Sequence, residues 1–164
     1  MTKKSERLRF LTKQEVSDLL SGPRRHGSAR DYYLLASMFA LGLRIGEAVR
    51  LRAELFDFKT KEVLVPTLKR VNSRGTEIDP VTQTPLLPVP IVSHETVLRA
   101  IHKWGSGRKW IFQGQIPSQH MTERNGSRVF KRWAGLAGLD CRVSSHALRH
   151  TAASMLFRAP KNIV

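Results

Sequence analysis

Gly42-Leu43-Arg44-Ile45-Gly46-Glu47-Ala48 governs how the rest of the chain reads, because it sets a charged residue on a tight, glycine-flanked turn between two apolar segments. Upstream, Tyr32, Leu35, Met38 and Phe39 recur at helical spacing between Ala29 and Leu41, and Gly42 can take the positive φ that ends such a helix. Downstream, a second short helix is expected over about Ile45–Leu51. Arg44 between them is held rigidly, and a guanidinium fixed this way can grip two non-bridging phosphate oxygens at once, a geometry lysine lacks. The plainer reading is a surface ion pair with Glu47, worth under about 1 kcal/mol.

Far downstream, Ser144-Ser145 precede a helix expected from His146 to about Arg158. Ala147, Leu148, Thr151, Ala152 and Met155 form its packing stripe, and Pro160 ends it. His146 and His150 stand one turn apart, the spacing that metalloproteases use for zinc, but those enzymes place a glutamate beside the first histidine and here the residue is Ala147. With no carboxylate or thiolate nearby, no metal is assigned. The other pairing is His146 with Arg149, on one face near a helix N-terminus, where backbone N–H groups and the helix dipole favour an anion such as a phosphate. From this pentapeptide alone, a surface helix making ordinary contacts competes equally.

Working outward, Thr12-Lys13-Gln14-Glu15 has capping-box spacing with Leu11 and Val16 as the hydrophobic staple. It predicts a helix over about Lys13–Leu20 that Ser21-Gly22-Pro23 stops. Glu62–Pro66 and Leu87–Val92 read as two short antiparallel strands, the second broken by prolines and so placed at an edge. The connection between them, Thr67 to Leu86, is long for a hairpin and carries Lys69, Arg70 and Arg74, which predicts a mobile basic loop. Ser93 can cap a helix running to Trp104 that Gly105 closes, and Trp110-Ile111-Phe112 is either a strand or a core anchor. Thr122 can cap a helix to about Leu136 with Val129, Phe130 and Trp133 inward and Arg124, Arg128, Lys131 and Arg132 around the rest, a basic face. The fold class expected is α+β, mainly α-helical, with a small antiparallel sheet.

The 164 residues suit one domain, and 28 Lys and Arg against 13 Asp and Glu give a net charge of +15 that suits a polyanion. The excess is concentrated. Residues 97–164 hold only Glu123 and Asp140 as acids and carry net +10. Hydrophobic residues make up 41% of the chain and 12 residues are aromatic, enough to form a core. The apolar stretch Tyr32–Leu43 is too short for a membrane span of about 20 residues, and the basic start has no apolar signal core behind it. Cys141 is the sole cysteine, so an internal disulfide and a cysteine-based zinc cluster are excluded. Nucleic acid is favoured over acidic lipid because no basic amphipathic helix with an aromatic face stands out. A cytoplasmic setting follows.

Taken together and in order, Gly-Leu-Arg-Ile-Gly-Glu-Ala around Arg44, a lysine in a β-connection (Lys69) and His-Ala-Leu-Arg-His around Arg149 resemble the tyrosine recombinase or phage integrase family, whose catalytic domain is built of helices with a small antiparallel sheet. The resemblance extends from about Arg9-Phe10-Leu11-Thr12 to the end of the chain. It implies that Arg44 and Arg149 hold the scissile phosphate and neutralise charge in the phosphoryl-transfer transition state. Glu47 orients that pair, and Lys69, with Arg70 and Arg74 close by, is the general acid for the 5′-oxygen. His146 hydrogen-bonds the phosphate, while His150 is either a further DNA contact or structural. Arg70, Arg74, Arg128, Lys131 and Arg132 complete the DNA-binding candidates. Family members cut double-stranded DNA through a 3′-phosphotyrosyl link that conserves the bond energy for rejoining, so no cofactor is implied.

The resemblance also sets expectations about what the chain lacks. The family's nucleophilic tyrosine follows the His-x-x-Arg helix, whereas Tyr32 and Tyr33 lie on the apolar helix before Arg44. No nucleophile is assigned, and residues 1–164 are expected to be a catalytic domain incomplete at its C-terminus, without the N-terminal DNA-clamping domain. The chain alone is expected to be a monomer, and the full-length enzyme a homo-tetramer on DNA. Two other function classes fit parts of the pattern: a non-catalytic nucleic-acid-binding module or regulator, and a nuclease or topoisomerase.

Overall fold

The structure, a computed structural model, describes residues 10–68 and 76–158, with backbone alone for 156–158. Lys69, Arg70, Arg74 and Pro160 therefore lie outside the described residues. Six helices, one 3₁₀ turn and three short strands follow one another among them: α1 (Lys13–Arg25), α2 (Ala29–Leu41), α3 (Ile45–Ala48), the 3₁₀ turn Ala53–Leu55, β1 (Phe56–Asp57), β2 (Glu62–Pro66), β3 (Leu86–Pro90), α4 (Glu95–Gly105), α5 (Glu123–Leu136) and α6 (Ser145–Arg158). This is the α+β, mainly helical architecture expected. None of these helices is long and apolar enough to cross a membrane.

The capping box forms at α1, where Thr12 Oγ1 accepts the Glu15 N–H at 3.1 Å and Glu15 Oε2 accepts the Thr12 N–H at 2.8 Å. Its predicted end is wrong. The helix runs through Ser21-Gly22-Pro23 to Arg25, and only Gly27, at φ 71°, turns the chain. Proline costs an interior hydrogen bond, but Pro23 is buried and Gly22 lies against the indole of Trp133, so close that a Cβ there would stand 3.0 Å from Cε3. Packing of this turn under α5 outweighs the missing bond. The same indole donates its Nε1–H to buried Asp31 at 2.8 Å, which ties α5 to the first turn of α2.

α2 ends as predicted, with Gly42 at φ 63°, whereas α3 stops at Ala48 and not near Leu51. Its last turn tightens into Arg50 N–H to Glu47 O and Leu51 N–H to Ala48 O bonds, because Leu51 must run extended into the core, where its carbonyl accepts the Ile111 N–H at 3.1 Å. The sheet has three strands in the order β1-β2-β3, not two. β1 pairs Phe56 with Val63, and β2 pairs antiparallel with β3 from Glu62–Pro90 to Pro66–Leu86. The proline-bearing β3 is an edge strand, as expected.

Half of the long β2–β3 connection is pinned, against the expectation of a mobile loop throughout. Asp79 is fully buried and receives Arg52 Nη1 and Nη2 at 2.8 and 2.7 Å, the Val81 N–H at 3.2 Å and the Thr82 hydroxyl at 2.5 Å. Burial alone would raise the Asp79 pKa, but hydrogen bonds from Arg52, Thr82 and Val81 bring it down from 3.8 to about 2. Arg52, itself buried, also stands over the Trp110 ring at 5.5 Å.

Two further boundaries differ. α4 is capped by His94 at φ 60° and not by Ser93, whose hydroxyl bonds the His94 ring instead, and Gly105 is the last helical residue, not the stop. A Cβ on Gly105 would come within 2.5 Å of Ile111 Cγ1. Gly105→Ala is accordingly expected to destabilise the fold by about 1–3 kcal/mol through overpacking, measured by urea unfolding; an unchanged midpoint would contradict the contact. Trp110-Ile111-Phe112 is a core anchor, with all three side chains buried. Thr122 caps α5, which buries Val129, Phe130 and Trp133 and exposes Arg124, Arg128, Lys131 and Arg132. In α6, Ala147, Leu148, Thr151 and Ala152 are buried, and Met155 is half-buried.

Candidate functional site

Three segments distant in sequence meet at the start of α3. Gly42 closes α2, and its carbonyl accepts Arg149 Nη1 from α6 at 2.9 Å. Arg44, extended at φ −73° and ψ 155°, begins α3, and its N–H donates to Glu47 Oε2 at 2.8 Å while its Nη1 reaches Glu47 Oε1 at 3.3 Å. Glu47 Oε2 also accepts Arg149 Nη1 at 3.1 Å, and Oε1 the Thr67 hydroxyl at 3.3 Å. One carboxylate, 6% exposed, thus takes four hydrogen bonds from α3, α6 and the chain leaving β2. The ion pair expected from the Arg44–Glu47 spacing is present, but its acid is buried and shared with the second arginine.

The two guanidiniums are presented outward. Their side chains are 44% and 32% exposed, and the hydrogen bonds described engage only Nη1 of each. A guanidinium carries five N–H donors, so the planar fork of each remains available to an oxyanion. Beside them opens a cavity of about 410 Å³ lined by Arg44, Glu47, Leu68, Glu123, Ser145 and His146, with Gly46 on its wall. Ser145 and His146 belong to the first turn of α6, so this helix aims its N-terminus at the cavity. Arg44, His146 and the N-terminus of α6 therefore border a space large enough for a tetrahedral anion, with Arg149 beside it through its bond to Glu47.

Arg44, Glu47, His146 and Arg149, singled out in the sequence as candidates, come together in the structure. His150, one turn beyond, is half-buried and does not line the cavity. Arg128, Lys131 and Arg132 stand exposed on α5 away from it, Arg132 lying over the Trp133 ring at 5.1 Å. Tyr32 and Tyr33, half-buried, line a different cavity of about 600 Å³ between α2 and α4, where Tyr33 packs on Trp104 at 5.3 Å. Among the described residues no group of three or more His, Cys, Asp or Glu could hold a metal ion.

Sequence reasoning missed Thr67, Glu123 and Arg50. Arg50 Nη1 bridges the Gly46 carbonyl at 2.6 Å and Glu123 Oε1 at 2.9 Å, locking the first residue of α5 onto α3. The available signal was the position of Glu123, directly after the cap Thr122 and one of only two acids, with Asp140, against nine basic residues between 97 and 143; an acid there needs a partner.

The whole chain is matched by known proteins. Residues 9–163 fit the model of the phage integrase family. A curated tyrosine recombinase of Pseudothermotoga lettingae is 26% identical over 155 residues, which make up 94% of this chain and 49% of the relative, so the chain spans about half the relative's length. Among solved structures, the Tn1549 transposon integrase in complex with circular intermediate DNA shares the fold with a TM-score of 0.71 at 20% identity, covering 99% of this chain and 57% of that one. XerA recombinase follows at 0.69 and 18%, over 96% and 52%, and a lambda integrase dimer bound to a COC′ core site at 0.63 and 15%, over 91% and 41%. A family match from residue 9 to residue 163 takes in nearly the entire sequence, and the chain belongs to the phage integrase family.

Proposed function

We propose that this chain is the catalytic-domain portion of a site-specific DNA recombinase, and that its cavity receives one phosphodiester of double-stranded DNA. The observation that carries the reading is the pair of outward guanidiniums, Arg44 and Arg149, held by one buried carboxylate beside the N-terminus of α6. Such a frame is preorganised. The donors need not move as negative charge builds on the phosphate in the transition state. Glu47 acts as the positioning residue for both arginines, and His146 hydrogen-bonds a phosphate oxygen. Lys69 protonates the departing 5′-oxygen when a tyrosine hydroxyl attacks phosphorus, one P–O bond forming as another breaks, so that a 3′-phosphotyrosyl link and a free 5′-hydroxyl result.

That tyrosine is assigned to neither Tyr32 nor Tyr33, which line the other cavity. The 164-residue chain is therefore proposed to bind duplex DNA as a monomer, in a cytoplasmic setting, without forming a covalent adduct. A non-catalytic DNA-binding regulator is the second reading, favoured by the placement of both tyrosines at another cavity.

The test is a gel shift with duplex DNA, repeated after denaturation on a nicked duplex. A salt-sensitive shift without a denaturation-resistant band is expected, with affinity falling roughly a hundredfold or more between about 50 and 200 mM salt for four or more phosphate contacts. A resistant protein–DNA band would overturn the assignment of no nucleophile. Arg44→Ala and Arg149→Ala should each leave a clear shift at low salt, since each removes one phosphate contact among many. Loss of the entire signal in either would count against their placement at a single phosphate.

A further inference from the structure

The cavity that suits an anion also contains an anion. Glu123, the first residue of α5, lines it together with Arg44 and His146, and unlike Glu47 it is not consumed by the two site arginines. Its partner is Arg50, whose Nη1 lies 2.9 Å from Glu123 Oε1 and 2.6 Å from the Gly46 carbonyl. The carboxylate rests directly on α3. A Cβ at residue 46 would stand 2.8 Å from Oε1, so the glycine leaves room for the carboxylate in this seat.

The two partners differ in how firmly they are held. Arg50, just past α3, is 18% exposed and fixed by the Gly46 carbonyl, whereas Glu123 is 46% exposed and stands in the first turn of α5. Swinging the Glu123 side chain into solvent breaks one ion pair and uncovers a guanidinium that is already in place, at a seat the size of a carboxylate group. A phosphate oxygen has the same charge and acceptor chemistry as the carboxylate oxygen it would replace. While Glu123 stays, any phosphate entering toward Arg44 meets a like charge at the mouth.

We propose that Arg50 is a further phosphate-binding residue of this site, held in reserve by Glu123, and that DNA binding exchanges the Glu123 carboxylate for a backbone phosphate. The proposal rests on the reading of the cavity as a DNA phosphate site. Glu123 thereby sets a threshold: a polyanion must offer a phosphate at this position to release Arg50, which selects a correctly seated duplex over loose electrostatic contact.

The exchange predicts opposite signs for the two halves of one ion pair. Binding of the 164-residue chain to a fluorescent duplex is measured by anisotropy from low to moderate salt, with the Glu95–Arg99 pair on α4, 2.7 Å apart, as the control for net charge alone. E123Q is expected to bind at least about threefold tighter than E95Q. R50Q should bind roughly eightfold more weakly at 0.1 M salt, with the slope of log K against log salt shallower by about 0.9, the signature of one lost phosphate contact. The gain from E123Q should also shrink in the R50Q background. E123Q within twofold of E95Q, or R50Q with an unchanged slope, overturns the proposal and leaves the pair as a structural tie between α3 and α5. If R50Q melts below the assay temperature, E123Q against E95Q decides alone. Failure of the unsubstituted chain to bind duplex at all overturns the function reading together with this one.

Discussion

Asp79→Ala is expected to destabilise the chain by about 3–5 kcal/mol, because it strands the Arg52 guanidinium in the core without its bidentate acceptor. Both side chains are buried, and Asp79 also organises the turn Asp79–Thr82 through the Val81 N–H and the Thr82 hydroxyl. The loss should depend on pH with a definite sign. A carboxyl held at about 2 in the folded chain, against 3.8 ordinarily, contributes its full stability above about pH 5 and loses it as pH falls toward 2, a change of about 2 kcal/mol. Urea unfolding of the two proteins from neutral to acid pH checks both points. The gap between them should be widest near pH 7 and narrow as pH falls, and a small or pH-independent gap would show that the pair is not the anchor of the β2–β3 connection.

Glu47→Ala should cost about 1–3 kcal/mol, the penalty for leaving donors around a buried acceptor site unsatisfied, with solvent compensating part of it at the two exposed guanidiniums. The Thr67 hydroxyl, 1% exposed, is the donor least able to find water in its place. Glu47→Gln keeps the shape and one acceptor oxygen but sets an amide N–H₂ against a guanidinium, so it should recover only part of the loss. Equal melting of Glu47→Ala and the unsubstituted chain would contradict the shared-acceptor geometry. The functional counterpart is a loosened Arg149: its Nη1 would keep only the Gly42 carbonyl, and a guanidinium free to turn no longer presents a fixed fork.

Most of the local sequence signals were read correctly, the Ser93 cap of α4 being an exception. The capping box at Thr12, the positive φ at Gly42 and the inward stripe of α5 each follow from chemistry within one or two turns of chain. Two of the errors arose where a distant residue decided the outcome. Pro23 reads as a helix stop until Trp133, far along the chain, is seen lying on Gly22, and Gly105 reads as a cap until Ile111 fills the space beside it. β1 escaped notice because two residues carry no periodicity, although Asp57 Oδ1 accepts the Lys59 and Thr60 N–H groups to turn the chain toward β2.

The grouping of the candidate residues was legible for a similar reason. Arg44 and Glu47 sit three apart on one turn, and His146 and Arg149 share a helix face, so each half carried its own local sign, and the resemblance to the integrase family joined them. Arg52–Asp79 and Arg50–Glu123 had no such sign, since each joins residues whose separation in sequence says nothing about proximity in space.

The central claim is that a DNA phosphate enters the cavity lined by Arg44 and His146, with Arg149 beside it. Titrating the isotopically labelled chain with a short duplex, and following backbone amides together with arginine Nε–H resonances by NMR, tests it most directly. The account predicts shifts at residues 44–47, 123 and 145–149, including the side chains of Arg44 and Arg149, with the Tyr32, Tyr33 and His94 cavity unmoved. Shifts gathered at that second cavity, with Arg44 and Arg149 unchanged, would contradict it.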